Sequence, residues 1–256
     1  MGAIIHKKSY KMKILLSPSE SKQDPVVLGE SSGGDTRLID DVMWGGQAAR
    51  NANIHAYLSI LQNASEAELR KVFGTKSVSL ESLRRCGEIL DSPRVCAIEL
   101  YNGVAYKALN FAEMDSRAKE FVLGSVLIMS NLFGLVRASD RLPFYHLNQN
   151  YKSKLLSLRA LYQAQEEEID KLLATEQDSG QDGVIVDLRA QIYSKAYPIK
   201  LAHYVLNLPS KVSHQAKLHR GLALRELALC ASIQDVKSRH NMLRQYLDTH
   251  CTYCTP

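Results

Sequence analysis

The sequence predicts an α/β fold, a single compact mixed domain whose largely buried sheet is flanked by helices. Three observations lead there. Met12–Leu16, Ser125–Met129 and Gly183–Leu188 are short apolar runs of strand length. Each is near-continuously apolar, as in a sheet covered on both faces. Long stretches of helical pattern separate them, which is the alternation of an α/β core with largely parallel pairing. The 256 residues suit one large domain. Residues 12–250 are assigned to it, 1–11 to an N-terminal extension and 251–256 to a C-terminal tail.

In chain order, the first strand is halted at Ser17-Pro18. Ser19 to Asp35 reads as a loop carrying Gly29, Gly33 and Gly34. Thr36 to about Gly87 is mostly helical, broken at Gly45-Gly46 and Gly74. Val95 to Leu109 is apolar and aromatic, with a turn expected at Asn102-Gly103. Asp115 to Phe121 looks helical and leads into the second strand, which ends at Ser130-Asn131. Tyr151 to about Thr175 has helical periodicity with an acidic face at Glu166, Glu167 and Glu168. After the polar loop Asp178–Gly183 comes the third strand, with Asp187 and Arg189 on one side by period-two alternation. Lys211-Val-Ser-His214 is a candidate fourth strand. Gln215 to Ser232 reads as a helix, and Ser232 as the cap of a last helix through Leu247. Ser17 and Ser19, Ser130 and Asn131, and Asp187 and Arg189 follow their strands at comparable places. Parallel pairing would gather them at the carboxyl ends, where open α/β sheets hold ligands.

Charge supplies the functional lead. From Leu188 to Arg225 there is no Asp or Glu, while Arg189, Lys195, Lys200, Lys211, Lys217, Arg220 and Arg225 are cationic. Uncompensated like charges repel in a compact state, so an outside anion such as phosphate is a natural complement; a solvated basic face is the alternative. On a helix, Lys217, Arg220, Gly221 and Arg225 fall within roughly 140° of arc, and Leu218, Leu222 and Leu229 form a separate apolar stripe on which it would pack. Gly221 costs about 1 kcal/mol of helix propensity relative to Ala, so close approach by another backbone or a ligand is expected there. Ser17-Pro-Ser-Glu-Ser-Lys22 is a strand–loop of the kind that can hold phosphate on backbone N–H groups. The net charge of +5 is only mildly basic.

Several classes lack support. No apolar run approaches the ~20 residues of a membrane span. The P-loop, Rossmann, GxSxG, HExxH and EF-hand patterns are missing. No cofactor and no metal are expected, although Cys251-Thr-Tyr-Cys254 has the spacing of half a zinc site. Five scattered cysteines fit reduced thiols and a cytoplasmic location. Glu20, Asp140, Asp187 and His146 are acid–base candidates that nothing in the sequence pairs.

Five ordered blocks resemble the YaaA family of bacterial peroxide-stress proteins. They are Lys13-Ile-Leu-Leu-Ser-Pro-Ser-Glu-Ser-Lys22, Ala97 to Leu109, Ile128 to Asp140 with Pro143 and Tyr145, Val184-Ile-Val-Asp-Leu-Arg-Ala-Gln-Ile-Tyr193, and Lys211 to Arg225. The resemblance implies an α/β fold with a positively charged cleft, DNA binding, and a role in limiting DNA damage under hydrogen peroxide. It implies cleft positions at Ser17, Glu20, Lys22, Tyr101, Gly103, Tyr106, Ser130, Arg137, Asp140, Tyr145, Asp187, Arg189, Tyr193, Ser213, Lys217, Arg220, Gly221 and Arg225. Three departures stand out. His146 replaces a usual Arg, Asn131 replaces a usual Gly, and the family's helix-hairpin-helix is hard to find between Arg37 and Arg85.

Two readings of the cleft therefore stand. One is a DNA-binding protein that contacts phosphates without reading sequence; the other is an enzyme acting on a nucleotide or other phosphate-bearing small molecule. A third is an interaction protein whose basic face meets an acidic partner.

Overall fold

The structure is a computed structural model that describes residues 12–26, 47–177, 183–209 and 212–256. The glycines of the Ser19–Asp35 loop, the Gly45-Gly46 break and Lys211 lie outside the described residues. β1 (Met12–Leu16), β3 (Val126–Ser130), β6 (Val184–Leu188) and β7 (His203–Leu206) form the parallel body of a six-stranded sheet. β4 (Gly134–Arg137) and β8 (Cys251–Cys254) close its two sides antiparallel, giving the order β4-β3-β1-β6-β7-β8. β2 (Arg94–Cys96) and β5 (Arg141–Pro143) form a separate two-stranded ribbon.

The helices are α1 (Gln47–Asn63), α2 (Glu66–Phe73), α3 (Leu80–Gly87), α4 (Ala97–Leu100), α5 (Val104–Leu109) and α6 (Ser116–Ser125). They continue with α7 (Leu158–Ala164), α8 (Glu166–Gln177), α9 (Gln191–Ala196), α10 (Ser213–Ser232) and α11 (Val236–His250). Capping residues set many of the starts: Ser65, Ser79, Asp115, Ser157 and Asp235 each accept a hydrogen bond from a first-turn N–H.

Strand side chains alternate between two buried layers. Ile14, Leu16, Val126, Ile128, Val186 and Leu188 enter the larger core with residues of α1, α6, α10 and α11. Leu15, Leu127, Met129, Leu135 and Ile185 enter the second core under α7, α8 and α9. This two-sided cover explains the apolar strand runs and matches the expected fold class.

Three expectations are corrected. Lys211–His214 contains no strand among the described residues, since α10 begins at Ser213; the fourth parallel strand is His203–Leu206, whose half-buried His and Tyr weaken an apolar signal. Asp235 caps the last helix in place of Ser232, whose hydroxyl bonds back to the Leu229 carbonyl. Residues 251–254, expected as a tail, are the edge strand β8. Its CxxC spacing also puts Cys251 and Cys254 on opposite faces, because they are an odd number of residues apart. All five cysteines are free thiols.

Candidate functional site

β1 sits between β3 and β6, so the chain leaves it toward β3 on one side and later returns to its other side at β6. That reversal is a topological switch point, where side chains beyond the strand carboxyl ends are uncovered by crossover helices. Leu16 pairs with Ile128 and with Leu188, which brings Ser17, Ser130 and Asp187–Arg189 to one sheet edge. The convergence is direct at two points: the Ala190 N–H donates to Ser17 Oγ at 2.7 Å, and Tyr106 Oη donates to the Ser17 carbonyl at 2.9 Å.

Backbone pairing fixes Lys22. Asn102 N–H donates to the Ser21 carbonyl and Gln23 N–H to the Leu100 carbonyl, clamping the segment after Ser17 against the end of α4. Gly103 permits that approach, since a Cβ there would collide with Ser19 Oγ. Half-buried, Lys22 Nζ donates to the Ser19 and Glu20 carbonyls at 3.0 and 3.3 Å. It lies 4.1 Å from the Tyr145 ring centroid and 5.5 Å from that of Tyr101. It makes no ion pair among the described residues. Desolvation outweighs the weak pull of the neighbouring Cys86 and Glu20 and pushes the ammonium down from 10.5 to about 7. Beside it, burial and then the Lys22 charge lower the His146 imidazole below its ordinary value, and the ring stacks on Phe73.

Behind Lys22 is a buried hydroxyl cluster. Tyr101 and Tyr145 share a 2.8 Å hydrogen bond, and Ser130 Oγ lies 2.9 Å from Tyr145 Oη. Tyr145 donates to Asn131 Oδ1, while Ser130 Oγ accepts from the Leu132 and Phe133 N–H groups. Tyr162 donates to the Ser130 carbonyl. Burial raises Tyr101 to about 12 and Tyr145 and Tyr106 well above the ordinary phenol range, so all three stay neutral donors. Tyr193 reaches Gln149 Oε1 at 3.4 Å.

The cations differ in what they can still do. Buried Arg189 is consumed: its Nε and Nη2 grip both Asp187 oxygens at 2.8 Å, and Nη1 donates to the Tyr197 carbonyl. Lys200 pairs with Glu166 and Asp170 on α8. Arg225 Nη1 caps α5 through the Leu109 and Asn110 carbonyls. Two cations of the acid-free segment, Arg189 and Lys200, are thus neutralised by carboxylates inside the molecule, a source of balance that neither the outside-anion nor the solvated-face reading anticipates. Arg220 is half-buried, and the Asp187 carboxylate opposes the desolvation that lowers its pKa. Lys195, Lys217 and Ser213 are exposed. Neither Lys195 nor Lys217 has a hydrogen bond or ion pair among the described residues.

Three expected positions do other work. Gly221 is buried in the packing of α10 on α5, where a Cβ would overlap the Ala105 carbonyl oxygen. The approach is by backbone, and the apolar stripe moves with it: α10 packs through Ala216, Gly221, Ala223, Leu224, Leu227 and Ala228, while Leu222 and Leu229 are exposed. The small residues let two helices come close, which the leucine pattern conceals. Arg137 pairs with Leu127, near the amino end of β3, about 10 Å along the strand from Ser130. There Asp140 Oδ2 accepts from the Arg137 N–H at 2.8 Å, and burial raises the Asp140 pKa.

Sequence reasoning placed Ser19 at the strand ends but missed Gln149 and Ala190 at the site. It also missed α1 as its brace: buried Arg50 and Asn53 donate to the carbonyls of Phe133, Leu135 and Leu132, holding the turn after Ser130. No local motif marks a side chain that serves a distant carbonyl.

A family profile described as "Peroxide stress protein YaaA" matches residues 12–244. An uncharacterized protein of Campylobacter jejuni is 33% identical over 218 residues, covering 83% of this chain and 83% of its own. A UPF0246 protein of Streptomyces coelicolor is 29% identical over 225 residues, covering 84% of this chain and 82% of its own. One of Caulobacter vibrioides is 30% identical over 202 residues, covering 72% and 75%. The match runs from β1 through the strand ends, the tyrosine cluster and α10, and the chain belongs to the YaaA family of peroxide stress proteins.

Proposed function

We propose that this protein binds DNA in the cytoplasm during the peroxide-stress response, through sequence-independent phosphate contacts, and so limits oxidative damage. The observation that carries the reading is α10. It ends the acid-free segment, and its exposed Lys217 has no described partner while half-buried Arg220 lies near the strand-end site. Cations left over after internal pairing are the ones able to neutralise phosphate. The reading predicts that affinity for a duplex falls steeply as salt rises from low to physiological strength. A flat response, or no binding at low salt, contradicts it.

A second reading is favoured by one observation, the desolvated Lys22 against neutral Tyr101 and Tyr145. A duplex clamp has no need of a lysine that sheds its charge near pH 7, whereas an enzyme acting on a nucleotide or another phosphate-bearing small molecule does. Thermal shift separates the two: stabilisation by a mononucleotide supports the enzyme, and stabilisation by polynucleotide alone supports DNA binding.

A further inference from the structure

We propose that Lys22 is a nucleophilic amine that forms an imine with the aldehyde carbon of a phosphorylated sugar. This deepens the readings above and rests on them for the phosphate. Four structural facts lead to it. Lys22 Nζ is held by two backbone carbonyls, which orient the amine without requiring its charge. No carboxylate forms an ion pair with it among the described residues, although ordinary lysines near a protein surface are charged and often paired. Aromatic rings flank it at 4.1 and 5.5 Å and displace water. It is also half-buried rather than sealed, so the amine is not wholly closed off from a ligand. The lowered pKa agrees with this geometry and leaves about half the amine neutral at pH 7.

The step balances without a co-reactant. The neutral amine lone pair adds to the aldehyde carbon and a C–N bond forms. Both amine protons pass to the former carbonyl oxygen, which departs as water and leaves a C=N bond. The sugar phosphate has two sources, a free aldehyde sugar phosphate or the open-chain deoxyribose of an abasic position in DNA. Arg220, half-buried and within electrostatic reach of Asp187 at the carboxyl end of β6, is the cation we assign to the phosphate.

The test is reductive trapping on the full chain at pH 7, with cyanoborohydride and either glyceraldehyde 3-phosphate or an oligonucleotide containing one abasic position. Intact mass and peptide mapping read the product. One adduct per chain on Lys22 in either arm is the expected result, and the arm that traps identifies the source. No adduct in either arm, or adducts spread over exposed lysines such as Lys195 and Lys217, overturns the proposal. Lys22→Arg abolishes the adduct. Should that variant fail to fold, competitive reductive methylation of the unaltered protein decides: Lys22 labels well ahead of other lysines at pH 7 if the inference holds, and equal labelling overturns it. Affinity for intact duplex, measured alongside, shows separately whether the DNA reading stands.

Discussion

Lys22 is costly to the fold as well as central to the site. Folded, it titrates near 7 against an ordinary 10.5, so between those values the unfolded chain holds the extra proton. Stability therefore rises with pH across that window, and the penalty is fully present below about 7. Melting temperatures of wild type and Lys22→Met at pH 6 and pH 9.5 check this. The wild type gains on the variant as pH rises, whereas parallel curves contradict the assignment. Arg189 is the opposite case, a buried cation matched on both carboxylate oxygens. Arg189→Ala strands Asp187 and costs about 3–5 kcal/mol in chemical denaturation. Tyr145→Phe leaves Tyr101, Ser130 and Asn131 short of a partner and costs about 1–3 kcal/mol. The Asp187–Arg189 proximity was readable from strand alternation. Lys22's protonation was not, because desolvation depends on Tyr101 and Tyr145, which lie far away in sequence.

Among the elements, α10 separates a readable periodicity from an unreadable partner. Its length and helical state follow from the sequence, but its packing face does not, because the partner surface on α5 selects small residues over leucines. Gly221→Ala gains about 1 kcal/mol of helix propensity. It also drives a methyl into the Ala105 carbonyl, and overpacking of that kind typically costs about 1–3 kcal/mol. The expected result is net destabilisation, while exposed Leu222→Ala stays within about 0.5 kcal/mol of wild type. A stabilised Gly221→Ala would show that α10 and α5 are not in backbone contact. β7 and β8 escaped the sequence reading for a related reason: flanking positions at the sheet's side let polar and aromatic residues enter the strands.

For the whole molecule, three apolar runs and the helical spacing were enough to infer a two-sided, largely parallel sheet, and parallelism alone brought Ser17, Ser130 and Asp187 to one edge. The charge pattern was less faithful. Sequence separation hid that Glu166 and Asp170 answer Lys200. Exposed Lys195 and Lys217 keep no ion pair among the described residues, and half-buried Arg220 is reached only by the charge of Asp187. The most direct measurement is duplex affinity as a function of salt for wild type, Lys217→Ala and Arg220→Ala. The account predicts weaker binding for each variant and a log–log salt slope shallower by about one for each phosphate contact removed. Affinities and slopes indistinguishable from wild type, in folded variants, would contradict it.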